Sequence, residues 1–400
     1  MKSKPTVTAL GVEQRPRIAD GEYDLRLKQV KTLMEQMEVD LLFAYADDRA
    51  VFGPAHLRWL FDYYPHFEPA CALIPRRGEP VIVTGAESIS YIRTSSRFKG
   101  EVLAISEFVH ADEEYPFAKV CSLGDIVRRM AKDDARVGLA GTNLMEQQLY
   151  RTIVSLFPQG VRDVNSQVEA LRAVKSQAEI EVIRYAYGVA EAGTLAAISA
   201  ISAGATEREI AAEAEYVMRR LGAEGTGIDT IVASGPLHTY PILHRTTQRR
   251  VREGDSIVLT IAPRYEGYHA AIGRTLLLGD VDPVIRRARQ TAADALEETS
   301  KLLRPGARAE EIDATARAVV AAGGFGENFL YSGSHSVGVI EFEPPILSSF
   351  AGTTLQADMI FSIDIPMFHC PWGGLRIEEG FRVTPAEPER LQAIALLVDL

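Results

Sequence analysis

The sequence predicts a mixed α/β (α+β) protein of two domains: an N-terminal α/β domain over residues 1–165 and a pseudo-symmetric α+β domain over 166–400. Three observations predict it. Four hundred residues are more than one ordinary core organises. Strand-like and helix-like stretches alternate up to about residue 165. Beyond that point the chain opens a long helical span rich in Ala, Glu and Ile, and then repeats itself. "GATEREIAAEA" from Gly204 recurs as "GARAEEIDATA" from Gly306.

The elements follow in chain order. "GEYDLRLKQVKTLMEQMEVD" carries Leu25, Leu27, Val30, Leu33 and Met34 at near-helical spacing and leads into the apolar run "LLFAY". "ACALIP" and "EPVIVTG" flank the turn-like "RRG" and form a hairpin. "RVGLAG" is a strand entering the amphipathic helix "LMEQQLYRTIVSLF". In the second domain, Thr206 followed by Glu209 makes a capping box that opens a helix. Each copy of the echo precedes strands, "IDTIVAS…SIVLTIA" and then "MIFSIDIPMF…LRIEEGFRVT". A duplicated helix-then-strands unit implies two halves sharing one sheet with a cleft between them. The plainer alternative is two unrelated helices with similar starts.

Composition narrows the function classes. No run approaches the roughly 18 apolar residues of a membrane span. The opening "MKSKPTVTALGVEQRPRIADGEYD" lacks the apolar core of a secretory signal. Cys71, Cys121 and Cys370 are few, odd in number and scattered, which fits a reducing cytoplasm rather than a disulfide or zinc framework. A formal charge of −11 disfavours nucleic acid or an anionic membrane as the main partner.

With the strands placed, the chain resembles the superfamily of creatinase, Xaa-Pro peptidases and methionine aminopeptidase, the pita-bread fold. "LRAVKSQAEIEVIRYA" resembles its entry helix and "SGPLHTYPILHRTTQRRVREGD" its histidine-bearing loop. "SGSHSVGV" is similar to its Gly-His-Gly motif, with serines for glycines. "MIFSIDIP" and "GGLRIEEG" match its two carboxylate strands. The resemblance implies a creatinase-type N-terminal domain, a pita-bread catalytic domain and a homodimer.

Peptidase members hold two divalent metals with two Asp, one His and two Glu, since clustered carboxylates clamp cations that activate water. Carried over by position, the Asp sites fall on Thr260 and Ala271, eleven residues apart. The His falls on His335, and the Glu sites on Asp364 and Glu378. Neither Thr260 nor Ala271 is anionic, so no metal and no other cofactor is expected. Creatinase, the metal-free member, also has Ala at the second Asp position. The resemblance implies that it relies on a histidine corresponding to His244, whose ordinary pKa of ~6.5 allows both proton states.

The expected catalytic residues are therefore His244 as general acid/base, with His335, Asp364 and Glu378. The structural alternative for each is a packed or hydrogen-bonded side chain. Expected substrate-binding residues are His66 and Glu68 from "RWLFDYYPHFEPA", with His269, Glu343 and Arg376. Creatinase has an Arg where Glu68 stands, a Tyr at His269 and a Glu at Gly273. Peptidases have a second catalytic His where Phe342 stands. Creatine is thus disfavoured as substrate.

The leading expectation is a cytoplasmic, metal-independent, creatinase-like hydrolase. It would act on a C–N bond in a small nitrogenous non-peptide substrate: an amide, amidine, guanidine or cyclic relative. Two rivals stand beside it. One is an Xaa-Pro metallopeptidase with an altered single-metal site of His335, Asp364 and Glu378. The other is a non-catalytic peptide-binding module.

Overall fold

The computed structural model describes residues 15–400; most of the stretch read above for a targeting signal lies outside them. The chain divides into two compact units, Ala19–Arg172 and Ala173–Leu400, the second also taking the described residues before Ala19.

The first unit is one seven-stranded sheet with helices. Its strands are β1 (Leu41–Ala46), β2 (Ala70–Pro75), β3 (Val81–Thr84), β4 (Glu101–Ile105), β5 (Val120–Cys121), β6 (Val137–Ala140) and β7 (Val161–Asp163). They lie in the order β5-β4-β3-β2-β1-β6-β7. β2 pairs antiparallel with β1 and with β3, and the remaining pairs are parallel. The expected hairpin is β2–β3, with Leu73 opposite Val81. The helices are α1 (Asp20–Gln36), α2 (Ala55–Phe61), α3 (Ser88–Ser95), α4 (Leu123–Met130), α5 (Gln147–Leu156) and α6 (Asn165–Ala170). Helix α1 forms where its spacing predicts, but its buried stripe is Tyr23, Arg26, Val30 and Met34, with Leu25 exposed. Arg26 tolerates burial because its NH1 donates to the Trp59 carbonyl at 2.8 Å and its guanidinium lies over the Tyr23 and Trp59 rings.

The second unit contains helices α7 (Gln177–Ala200), α8 (Glu207–Arg220), α9 (Gly235–Thr239), α10 (Pro283–Ser300) and α11 (Ala309–Ala322). Its strands are β8 (Gly225–Thr226), β9 (Ile231–Ser234), β10 (Ser256–Ile261), β11 (Pro263–Tyr265), β12 (Tyr268–His269), β13 (Ile272–Leu277), β14 (His335–Ser336), β15 (Glu343–Ile346), β16 (Ile360–Cys370), β17 (Gly373–Arg382) and β18 (Glu389–Arg390). The main sheet runs β15-β14-β16-β17-β13-β10-β9, with β18 on β17, while β12-β11-β8 form a small separate sheet.

The internal echo is structural. α7–α8 precede β9, β10 and β13; α10–α11 precede β14 to β17; the halves join where β13 pairs β17. Gly204 and Gly306 both take left-handed backbone, φ +95° and +89°, just before α8 and α11. The two N-cap residues, Thr206 and Arg308, each form an isolated bridge, with Arg250 and Thr354. Thr206 and Glu209 make the expected capping box.

Alternation sorts the sheet's faces. Phe361, Ile363, Ile365 and Met367 of β16, with Leu375, Ile377 and Phe381 of β17, join the core that includes Ala292, Leu296 and Ile312 of α10 and α11. Leu259, Ile261 and Leu276 pack in the equivalent core with Val189, Ile210 and Met218 of α7 and α8. The opposite face is left with the polar members of the same strands. Among the described residues, no helix is long and apolar enough to cross a membrane.

Candidate active site

Strand register builds one polar row on that opposite face. Thr260 pairs with Gly273, Gly273 with Glu378, and Glu378 with Asp364. Residues directly opposite share a face, so Thr260, Glu378 and Asp364 project together, with Gly273 leaving a gap in the row. Two residues along, Ser362 pairs with His335 and brings the imidazole to the same side. Arg376, two before Glu378, joins them.

The groups interlock. His335 Nδ1–H donates to the Ser336 carbonyl at 3.0 Å, which turns Nε2 toward Glu378 Oε1 at 3.6 Å and Glu341 Oε1 at 3.8 Å. Ser362 Oγ donates to Glu378 Oε1 at 2.6 Å. The Phe342 ring packs on the imidazole with centroids 4.3 Å apart. Arg376 Nε lies 3.1 Å from Asp364 Oδ1, and its NH2 donates to Tyr331 Oη at 2.6 Å. All four acid and imidazole groups are buried.

Burial by itself favours the neutral forms, and neighbouring charge decides each case. Burial lowers His335, but Glu378 and Glu341 outweigh it and lift the imidazole to about 9. Burial raises Asp364 to about 8 against the opposing charge of Arg376. Burial also raises Glu341. Glu378 is held low, because His335, Arg376 and the Ser362 hydroxyl overcome its own desolvation.

His244 comes from the loop after α9. Its Nδ1–H donates to the Pro241 carbonyl at 3.2 Å, and its buried Nε2 has no hydrogen-bond partner. Burial lowers its pKa, and the Arg376 charge lowers it further. The imidazole is therefore neutral near pH 7, with an available lone pair. The loop is pinned by Glu207, fully buried at the first position of α8, which accepts from Ser234, Thr247 and His238.

The other expected residues have defined partners. Glu343 pairs with buried Lys175 at 3.0 Å. His269 Nδ1–H donates to the Gly338 carbonyl at 3.2 Å, anchoring the turn that leads to Glu341. His66 and Glu68 belong to the first unit. There His66 is exposed, and Glu68 accepts from the Ser88 and Glu87 amides at 2.7 and 3.3 Å, at the start of α3. Sequence reasoning missed Glu341, Tyr331 and Glu207. Glu341 lies in irregular chain between β14 and β15, where no periodicity marks an inward side chain. Its one sequence signal was an acid six residues after His335.

The donor set can be tested for a cation. Among the described residues, His335, Glu341 and Glu378 offer one ligand atom each, all within 4.8 Å of one another and all buried. An imidazole whose other nitrogen is fixed by a carbonyl, with two carboxylates, suits a divalent transition metal. The residues fit such an ion, and the third ligand would be Glu341 rather than Asp364, which Arg376 engages.

The description of metallopeptidase family M24 matches residues 181–385, a span that contains every member of this cluster. The chain belongs to metallopeptidase family M24. The Xaa-Pro dipeptidase of Pyrococcus furiosus is 29% identical over 321 residues, covering 79% of this chain and 88% of that protein. An uncharacterized peptidase of Staphylococcus saprophyticus is 25% identical, covering 90% and 98%. The crystal structure of a recombinant prolidase from Thermococcus sibiricus superposes with a TM-score of 0.83 at 21% identity, covering 94% and 99%. That likeness carries the two-domain fold, with its prolidase-like N-terminal domain and pita-bread C-terminal domain.

These findings correct the leading sequence expectation. A metal-independent, creatinase-like hydrolase of a small non-peptide substrate is not supported, because the family is one of metallopeptidases and the Pyrococcus furiosus relative is an Xaa-Pro dipeptidase. The physical error lay in counting acids only at motif positions. Neutral side chains at 260 and 271 do not leave the cleft without cation ligands when Glu341 enters from outside the motifs.

Proposed function

We propose that this M24 chain is a peptidase that hydrolyses the bond preceding proline in short peptides, at the cluster of His335, Glu341, Asp364, Arg376 and Glu378. One observation carries the reading: the family match spans the buried imidazole–carboxylate cluster, and a relative aligned along most of the chain is an Xaa-Pro dipeptidase. A divalent cation held by His335, Glu341 and Glu378 would polarise the scissile carbonyl and acidify water. His244, neutral with its Nε2 unpartnered, takes a proton from the attacking water and returns it to the departing prolyl nitrogen, which leaves as an amine. Tyr331 accepts from Arg376 and keeps its own O–H to donate to a substrate oxygen. The buried walls exclude competing water.

The test uses full-length protein stripped with chelator and reloaded separately with Mn²⁺, Co²⁺ or Zn²⁺. Release of free proline from Leu-Pro and Met-Pro is followed, with Leu-Ala as control. Proline release restored by at least one metal is expected. Failure to cleave any Xaa-Pro peptide under all three metals would remove the reading.

A further inference from the structure

We propose that the cluster is built for one divalent cation: His335, Glu341 and Glu378 grip the ion, while the Arg376 guanidinium, in room left by Gly273, holds Asp364 as a cation the protein carries itself. The substrate side of this inference rests on the peptidase reading; the ion count does not.

Charge balance is the first argument. Glu341, Asp364 and Glu378 are all buried, and buried charge needs local compensation. Arg376 offsets one of the three carboxylates. With an ion bound, the remaining two would match its double charge, His335 giving up its ring proton in order to bind. A second such ion would leave the pocket with surplus positive charge, since Thr260 on the same face and Ala271 just before β13 bring no anion.

Geometry agrees. Ligands about 2.1 Å from a tetrahedral ion sit about 3.4 Å apart. The His335 Nε2 distances of 3.6 and 3.8 Å to the two glutamates are already close to that. Asp364 is turned instead toward Arg376 Nε at 3.1 Å. Its buried Oδ1 and the buried Thr260 hydroxyl lack aligned hydrogen-bond partners, and both stand in the row beside Glu378, as expected where a ligand or its water shell completes the site.

Gly273 explains how the arginine fits. A Cβ there would lie 2.8 Å from Arg376 Cγ and 2.7 Å from Glu378 Cβ. Any side chain at 273 would push the arginine stem off its path to Asp364.

The test titrates metal-stripped, full-length protein with Mn²⁺ by calorimetry and reads the bound ion by electron paramagnetic resonance. Wild type should take up one equivalent with an uncoupled spectrum. Glu341→Gln should weaken binding by at least about tenfold. Arg376→Met should free Asp364, either tightening binding by about tenfold or admitting a second equivalent. Near-UV circular dichroism checks that each variant is folded, and the wild-type count stands without them. Two equivalents or none in wild type, unchanged affinity in folded Glu341→Gln, or no change in folded Arg376→Met would each overturn the proposal. Proline release is measured on the same wild-type samples. One Mn²⁺ without proline release sinks the peptidase reading alone, and two with release sinks the ion count alone.

Discussion

Replacing Glu207 with alanine should destabilise the second unit and loosen the loop that carries His244. The Glu207 carboxylate is fully buried and accepts from Ser234 N and Oγ, both at 2.8 Å. It also accepts from Thr247 N at 3.0 Å, Thr247 Oγ1 at 2.6 Å and His238 Nδ1–H at 3.2 Å. Ser234 and Thr247 mark the two ends of the excursion, and His244 sits between them. Position at the start of α8 adds favourable interaction with the helix N-terminus. Truncation leaves two buried backbone amides without acceptors, each costing roughly 1–3 kcal/mol, so the loss should be about 3–5 kcal/mol. Glu207→Gln keeps one acceptor oxygen and should lose about half as much. Urea unfolding of both variants gives the energies. Hydrogen exchange over residues 235–247 reports the loop, and proline release reports His244. Glu207→Ala within about 1 kcal/mol of wild type, with unchanged exchange in that segment, would refute the reasoning.

Two further outcomes are expected. His56 is buried, donates from Nε2 to Asn165 Oδ1 at 3.0 Å and faces Arg172 NH1 at 3.5 Å; burial and that guanidinium press its pKa to about 3. A folded value below the ordinary ~6.5 means that the unfolded chain binds the extra proton first. Stability from this group is therefore present above about pH 6.5 and lost as pH falls toward about 3, by at most about 5 kcal/mol. His56→Gln should flatten the pH 4–7 dependence of urea unfolding of the first unit, and an identical pH slope in the variant would contradict this. Arg274 and Glu379 form a fully buried pair, with Arg390 at 3.2 Å as a second partner of the glutamate. Arg274→Met should cost about 3–5 kcal/mol by stranding that carboxylate, while adding Glu379→Leu should recover most of it. A double variant as unstable as the single one would count against the pairing argument.

Much of the scaffold was legible because alternation and duplication are local patterns. "SIDIP" and "RIEEG" show the period of two that sends Ile363, Ile365 and Ile377 to the helices and Asp364 and Glu378 the other way. The paired glycines before α8 and α11 sit in one register of the repeat. The site was legible only in part. Glu378 and Glu379 are neighbours of one chemical type, yet strand parity gives one to the cleft and the other to a structural ion pair. Glu341 arrives through an irregular turn, and Arg376 reaches Asp364 only across paired strands. Both depend on contacts that no spacing rule encodes. The same gap explains why two neutral positions pointed to metal-free chemistry.

The repeat has grown lopsided. His335, Glu341, Asp364, Arg376 and Glu378 all come from its second copy, whereas the first copy contributes Thr260, Gly273 and the segment bearing His244. On the proposed reading, one half would supply grip and the other proton traffic. On that reading, chimeras exchanging the second half with a relative should change ion affinity, while those exchanging the first should change the pH dependence set by His244.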